Sequence, residues 1–132
     1  MHGSSPAEVA AAYLAHTRSA TPATEWAYDA VTDFTYNDRF EELWGVIVAL
    51  GELDEEIETE TLAVIAAGPL EDLICKAGPQ FIDRVERAAK FNAIIGRMLT
   101  GVWGKSSAPL VWERVVRFCR AFPNPIDDVY RF

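Results

Sequence analysis

The chain has 132 residues, of which 50% are hydrophobic and 11% aromatic, so it can form one domain with a sizeable core. This composition excludes a wholly disordered chain, and no apolar run approaches the roughly 20 residues that cross a bilayer. Residues 1–5 lack the basic and apolar regions of a secretory signal. Two cysteines, Cys75 and Cys119, are too few for a disulfide framework. We expect a single cytoplasmic domain over residues 1–132, with tails at 1–5 and 124–132.

The net charge of −8 is unevenly distributed along the sequence. Residues 1–66 carry a net charge of −11, whereas residues 67–132 carry +3. So acidic a half disfavours nucleic acid as a ligand, because binding to its backbone depends on cations that displace counterions. It favours solubility or attraction to a basic partner.

Proline, threonine and asparagine residues mark the beginnings of the first three predicted helices. Pro6 predicts a helix that runs to about Thr17, since its missing N–H would be unpaired there anyway. Thr21 as N-cap and Pro22 at the first position predict a second helix, with Trp26, Ala30 and Phe34 on it. Asn37 or Asp38 is predicted to cap a third, which Gly51 ends. Its apolar residues recur every three or four positions: Phe40, Leu43, Trp44, Ile47 and Leu50.

Two Gly-Pro pairs follow, at 68–69 and 78–79. In each pair we expect the glycine to end one helix in the left-handed conformation and the proline to begin the next. The first pair would end a fourth helix whose apolar residues are Ile57, Leu62, Ile65 and Ala66. Residues 69–77 would then form a short helix between two sharp corners.

Three further apolar patterns complete an all-α prediction. A helix over about 79–90 would bury Phe81, Val85 and Ala88. The next would end near Gly104 and carry Phe91, Ile94, Ile95, Met98, Leu99 and Val102. The last would begin at Pro109 and carry Val111, Val115, Phe118, Cys119 and Phe122. We therefore predict a compact bundle of about seven or eight short helices. It could stack like helical repeats, although the sequence has no clean period of about 40 residues.

The segment Ala-Ala-Gly-Pro-Leu-Glu-Asp-Leu-Ile at residues 66–74 carries a resemblance to a known family. Together with Leu43-Trp44, Phe81-Ile82-Asp83 and the stretch 99–103, it resembles small bacterial proteins catalogued as a domain of unknown function. The resemblance covers about residues 38–115 and implies a bacterial, helical, cytoplasmic protein. It implies no catalytic residue, cofactor or partner.

Motifs that carry catalytic or metal chemistry are missing from the sequence. Of two histidines, His2 lies in the predicted tail, and His16 has no Gly-x-Ser-x-Gly elbow to serve. No zinc motif or phosphate-binding glycine loop occurs. A calcium loop that began at Asp54 would have Thr59 where glycine is needed and Ile65 where the bidentate glutamate is needed. We therefore predict no cofactor and no metal.

Basic residues of the second half recur every third position: Arg84, Arg87 and Lys90, then Arg114, Arg117 and Arg120. They could form an anion-binding face. We instead expect surface ion pairs at i,i+4 spacing: Asp83–Arg87, Glu86–Lys90 and Glu113–Arg117.

The acidic segment, residues 52–60, holds six carboxylates in nine positions and is the feature most suggestive of function. Electrostatic steering toward a basic partner would suit an immunity or inhibitor protein that is not an enzyme. Trp112 lies off the apolar stripe of its helix, so it could be an interface anchor, although core packing is the alternative for it and for Trp103. The predicted partner-binding residues are Glu52, Asp54, Glu55, Glu56, Glu58, Glu60 and Trp112. The alternative function is an enzyme or a small-ligand-binding domain with a pocket between helices; we expect neither nucleic acid nor membrane as a partner.

Overall fold

The computed structural model describes residues 4–103 and 107–126. The described residues are largely helical, and none of them forms a strand. A π-helix spans Ala66–Leu70. The α-helices are α1 (Pro6–Arg18), α2 (Glu25–Tyr36), α3 (Phe40–Glu52), α4 (Thr59–Ile65), α5 (Glu71–Phe91), α6 (Ala93–Leu99) and α7 (Pro109–Ala121).

The all-α prediction is confirmed, with slightly fewer separate helices than expected. α4, the π-helix and α5 follow one another without a gap, so six separate helices lie in the described ranges rather than seven or eight. α3 is central: it packs against α1, α2, α5 and α6. The apolar face predicted for it is confirmed, because Leu43, Trp44, Ile47 and Leu50 are buried.

Local hydrogen bonds explain where the first helices begin. Ser5 and Glu8 form a capping box, in which each side chain accepts a backbone N–H of the other residue. α2 begins at Glu25, three residues after the predicted start, because residues 22–24 form a turn closed by the Thr24 N–H on the carbonyl of Thr21. The N-cap of α3 is Arg39, not Asn37 or Asp38, and Gly51 lies inside the helix rather than after it. Asp38 instead takes a left-handed φ of 57° in the short link to α3.

The prediction of left-handed glycine corners is wrong. Neither Gly68 nor Gly78 has a φ in the left-handed region. An α-helical turn would bring the ring of Pro69 against the carbonyl of Ile65. The chain widens into the π-helix there, in which the Glu71 N–H bonds to the carbonyl of Ala66.

The second Gly-Pro pair produces a kink inside α5. Pro79 lies within the helix, and Ala77 departs from helical geometry with φ −136° and ψ 23°. A Cβ atom on Gly78 would lie 2.8 Å from Cγ1 of Val111, so the glycine lets α5 and α7 approach closely.

The apolar pattern predicted for the helix that carries Phe91, Ile94 and Ile95 is also partly wrong. Phe91 is 86% exposed and ends α5 instead of packing into the core. Asn92 caps α6 by accepting the Ile95 N–H, and α6 ends at Leu99, before the predicted end near Gly104, which lies outside the described residues.

The C-terminal helix begins at Pro109 as predicted, with Val111, Val115 and Cys119 buried. Of the predicted tail 124–132, the described part packs on the bundle: the Ile126 N–H donates to Thr100 Oγ1 at 2.8 Å. Residues 127–132 and 1–3 lie outside the described residues. No helix in the described ranges is long and apolar enough to cross a membrane.

Candidate functional site

A pocket opens where α1, α2, the π-helix and the first turns of α5 meet. We call it the tyrosine pocket; its volume is about 230 Å³, and it is more enclosed than the depressions on the surface of α5 and α7. Pockets for drug-sized ligands span roughly 300–1,000 Å³, so this pocket has room only for a smaller molecule. Its polar lining side chains are Tyr13, Tyr28, Thr32, Thr35, Tyr36, Asp72 and Lys76.

Local structure explains why these side chains converge. The π-helix widens the backbone at Gly68, and a Cβ atom there would meet only the Tyr13 hydroxyl oxygen, at 3.7 Å. The missing side chain therefore leaves room beside that hydroxyl. π-Helical turns occur often at functional sites, and here the turn forms one wall of the pocket.

Tyr13 is the most buried of the three tyrosines, with 6% of its surface exposed. Burial first, and then the nearby Tyr28 and Asp72, raise the pKa of its hydroxyl to about 12. Among the described residues this hydroxyl has no hydrogen-bond partner. A buried polar group without a partner is costly, so Tyr13 is a candidate ligand-binding group.

Asp72 and Lys76 supply opposite charges one helical turn apart. Burial raises the pKa of the Asp72 carboxyl, an effect that Lys76 partly offsets. The Lys76 Nζ lies 5.7 Å from the centre of the Tyr36 ring. Neither side chain forms an ion pair or hydrogen bond with the described part of the chain, although i,i+4 pairs of this kind commonly close.

His16 does not line the pocket but contacts one of the tyrosines that do. Its Nδ1 lies 2.9 Å from Thr24 Oγ1, and its ring centre lies 5.6 Å from that of Tyr28. The histidine thereby ties the end of α1 to the start of α2 and holds a pocket-lining ring in place.

The acidic segment lies away from this pocket and is anchored by one arginine. Arg18 donates to carboxylate oxygens of Glu55 and Glu58, at 2.5 Å and 2.9 Å, and to the carbonyl of Glu56. Side-chain hydrogen bonds to these carboxylates raise the Arg18 pKa. All six acidic residues that were predicted to bind a partner are exposed: Glu52, Asp54, Glu55, Glu56, Glu58 and Glu60.

Neither tryptophan combines with the acidic segment into one site. Trp112 is partly buried against the core, whereas Trp103 is 45% exposed and its backbone N–H donates to Glu71 Oε1. The described ranges hold no group of three or more side chains that could bind a metal ion.

Sequence reasoning missed the tyrosine pocket. A signal for it existed: Asp72 and Lys76 stand at i,i+4 spacing directly after the Gly-Pro pair, and tyrosines recur in the first two helices. What the pattern did not contain was the crossing of α1 and α2 that brings these groups together.

Comparison with known proteins gives one match. A family model described as a family of unknown function (DUF6869) matches residues 15–121. The match begins well before residue 38, so it includes all of α2 and the end of α1, which the sequence-based resemblance left out. No curated protein and no solved structure matches the chain. The chain belongs to this family of unknown function.

Proposed function

We propose that the tyrosine pocket binds a small zwitterion, a molecule of about amino-acid size that carries an amino group and an acidic group. One observation supports this most strongly. Asp72 and Lys76 line the same pocket, carry opposite charges and leave each other unpaired. A ligand with both charges would satisfy the two side chains at once.

The amino group of such a ligand would lie against Asp72 and Tyr13. A protonated amine has three N–H donors, and the carboxylate of Asp72 and the hydroxyl oxygen of Tyr13 can each accept one. The faces of nearby tyrosine rings also attract cations, as the position of Lys76 over Tyr36 illustrates.

The acidic group would lie toward Lys76 at the mouth of the pocket. The exposed ammonium can swing from the Tyr36 ring to a ligand carboxylate without a change in the backbone. The Tyr36 hydroxyl lies at the same rim and can donate a second hydrogen bond.

The experiment is a nuclear magnetic resonance titration of the ¹⁵N-labelled chain with matched probes. Free amino acids are compared with the amines that lack the carboxylate and with the acids that lack the amino group. We expect amide shifts at Gly68 and Asp72 and a Kd for the zwitterion at least about tenfold lower than for either analogue, since a charge-assisted hydrogen bond contributes about 1.5–3 kcal/mol.

Variants assign each charge to its side chain. Asp72→Asn should remove the preference for the amino group, and Lys76→Gln the preference for the carboxylate. Asp29→Asn is the matched control, because Asp29 is exposed on α2 and does not line the pocket. Equal binding of zwitterion, amine and acid, or shifts that map elsewhere, would rule out this function.

A second proposal keeps the acidic segment as a surface for a basic partner. The specific observation in its favour is the triple contact of Arg18, which fixes the backbone around Glu56 and so preorganises the exposed Asp54 and Glu60 carboxylates. Changing only Asp54, Glu56 and Glu60 to amides preserves the arginine contacts. The rate of association with a lysine-rich peptide should then fall and become less dependent on salt; unchanged rates would exclude the surface.

A further inference from the structure

The α5–α7 surface lies on the second half of α5 and the exposed side of α7. Two depressions of about 390 Å³ and 410 Å³ adjoin there and share Glu86 and Lys90 in their linings. Aromatic rings lie in or beside both: Phe91 in one, Phe118 and Phe122 in the other. Cations and aromatic side chains therefore alternate over a continuous grooved surface.

The ion pairs on this surface differ from the predicted ones. Arg114 binds Asp83 and Glu86 together, each at 2.7 Å, so neither acid pairs with the residue four positions later. Of the three predicted pairs, only Glu113–Arg117 is present, at 3.5 Å. One arginine thus satisfies two carboxylates.

This arrangement leaves Arg87 and Lys90 without ion pairs to the part of the chain that the structure describes. Both are exposed, and both line the same depression as Phe91. The two cations therefore lie in the same depression as the ring, with their charges available to a partner.

Within residues 4–103 and 107–126, Phe91 is the most exposed large hydrophobic side chain, at 86%. An exposed aromatic ring that shares a depression with two unpaired cations can serve as an interface anchor. On the other side of Lys90, the Phe118 and Phe122 rings lie 5.7 Å apart, and Phe122 is fixed against Gly96, where a Cβ atom would lie 2.6 Å from its Cε1. The Phe122 ring is therefore packed closely against α6.

We propose that the α5–α7 surface docks a short acidic peptide segment of a protein partner, with an aromatic or aliphatic side chain placed beside Phe91 or Phe118. Charge complementarity selects an acidic segment, and the rings select an apolar side chain within it. An extended polyanion fits less well. Most of its charges would lie more than a Debye length, about 8–10 Å, from these cations and would face a molecule whose net charge is −8.

The test uses fluorescence anisotropy with a short labelled peptide in which aspartates and glutamates flank one phenylalanine. Two matched peptides replace that phenylalanine by alanine or the acidic residues by their amides. We expect the parent peptide to bind at least about tenfold more tightly than either. Phe91→Ser should weaken binding about as much, and its exposed position means that folding is retained.

Arg87→Gln has a control in Arg39→Gln, which removes the same charge from an exposed arginine that lines neither depression and that pairs with Asp33 and Glu42. We expect Arg87→Gln to weaken peptide binding severalfold and Arg39→Gln to leave it unchanged. An equal effect of both would reduce the contact to net charge and overturn the proposal. Tighter binding of duplex DNA or of anionic lipid vesicles would also overturn it, as would self-association that Phe91→Ser abolishes and that blocks the peptide.

Discussion

The same dipeptide, Gly-Pro, occurs twice within α4–α5 with opposite results. At Gly78 a neighbour takes the space that a side chain would need, since Cγ1 of Val111 lies 2.8 Å from the position of a Cβ atom. At Gly68 the absent side chain leaves open space beside the Tyr13 hydroxyl. The first Gly-Pro pair therefore lines a pocket. The glycine of the second pair allows α5 and α7 to pack closely. Two identical sequence signals can thus serve binding at one site and stability at the other.

The largest effect that would test this comparison is expected for Gly78→Ala. The new methyl group would lie 2.8 Å from a γ-carbon of Val111, a stiff β-branched side chain that cannot rotate away. We expect a loss of about 1–3 kcal/mol in the free energy of unfolding, measured by chemical denaturation. Adding Val111→Ala should recover part of that loss; purely additive losses would show that the two residues do not compete for space.

A smaller effect is expected at high pH from Tyr13. The folded chain retains the hydroxyl proton up to a pKa of about 12, whereas the unfolded chain releases it near 10. The folded state therefore binds more protons in that window, and its stability falls as the pH rises through it. Relative to Tyr13→Phe, the wild type should lose on the order of 2 kcal/mol between these pH values. Parallel stability curves for the two proteins would show that this hydroxyl is not buried.

Gly68→Ala should raise stability slightly and narrow the tyrosine pocket beside the Tyr13 hydroxyl. Replacing glycine by alanine in a helix gains about 0.5–1 kcal/mol, and nothing closer than 3.7 Å opposes the new methyl group. We expect a higher unfolding free energy together with weaker binding of the zwitterionic probes. A destabilised variant would mean that the backbone at Gly68 is as tightly packed as at Gly78.

The smallest effect is expected from Asp72→Asn and concerns acidic pH. Burial raises the Asp72 pKa above its ordinary value of 3.8, so the folded chain holds the proton more tightly than the unfolded chain does. As the pH rises from that value through the raised pKa, the wild type should lose stability relative to the variant. The difference between the two unfolding free energies, measured from pH 3 to pH 7 in small steps, checks this sign; a difference that grows in the opposite direction would indicate a carboxylate stabilised in the folded state.

The fold was predictable where apolar residues repeat without interruption. α3 and α7 show such repeats, and most of the apolar residues predicted for them are buried. The exceptions are partly buried: Phe40, Phe118, and Phe122, which follows the end of α7. Phe91 was assigned to the next helix because it continues the apolar spacing of α6, but Asn92 separates α5, which Phe91 ends, from α6. Spacing along a chain carries no information about which helix end is left uncovered.

The site was harder to predict than the fold. Proline inside a helix can end the helix, kink it or widen it into a π-turn, and which of these occurs depends on neighbours distant in sequence. Val111 packs against Gly78, and Tyr13 lies beside Gly68. The acidic segment has the higher density of charge, yet it is Asp72 and Lys76 that bring two opposite, unpaired charges to the lining and mouth of one pocket.

The buried thiol of Cys119 gives the molecule a reporter of its own unfolding. Its residue is 1% exposed, its Sγ lies 3.6 Å from the carbonyl oxygen of Leu99, and burial raises its pKa to about 12. Only the thiolate reacts with alkylating reagents, so Cys119 is inert in the folded chain at neutral pH. Cys75 is only partly buried and should be modified first. The slower, second modification therefore requires opening of the packing between α7 and the rest of the bundle, and its rate measures how often that packing is lost under native conditions.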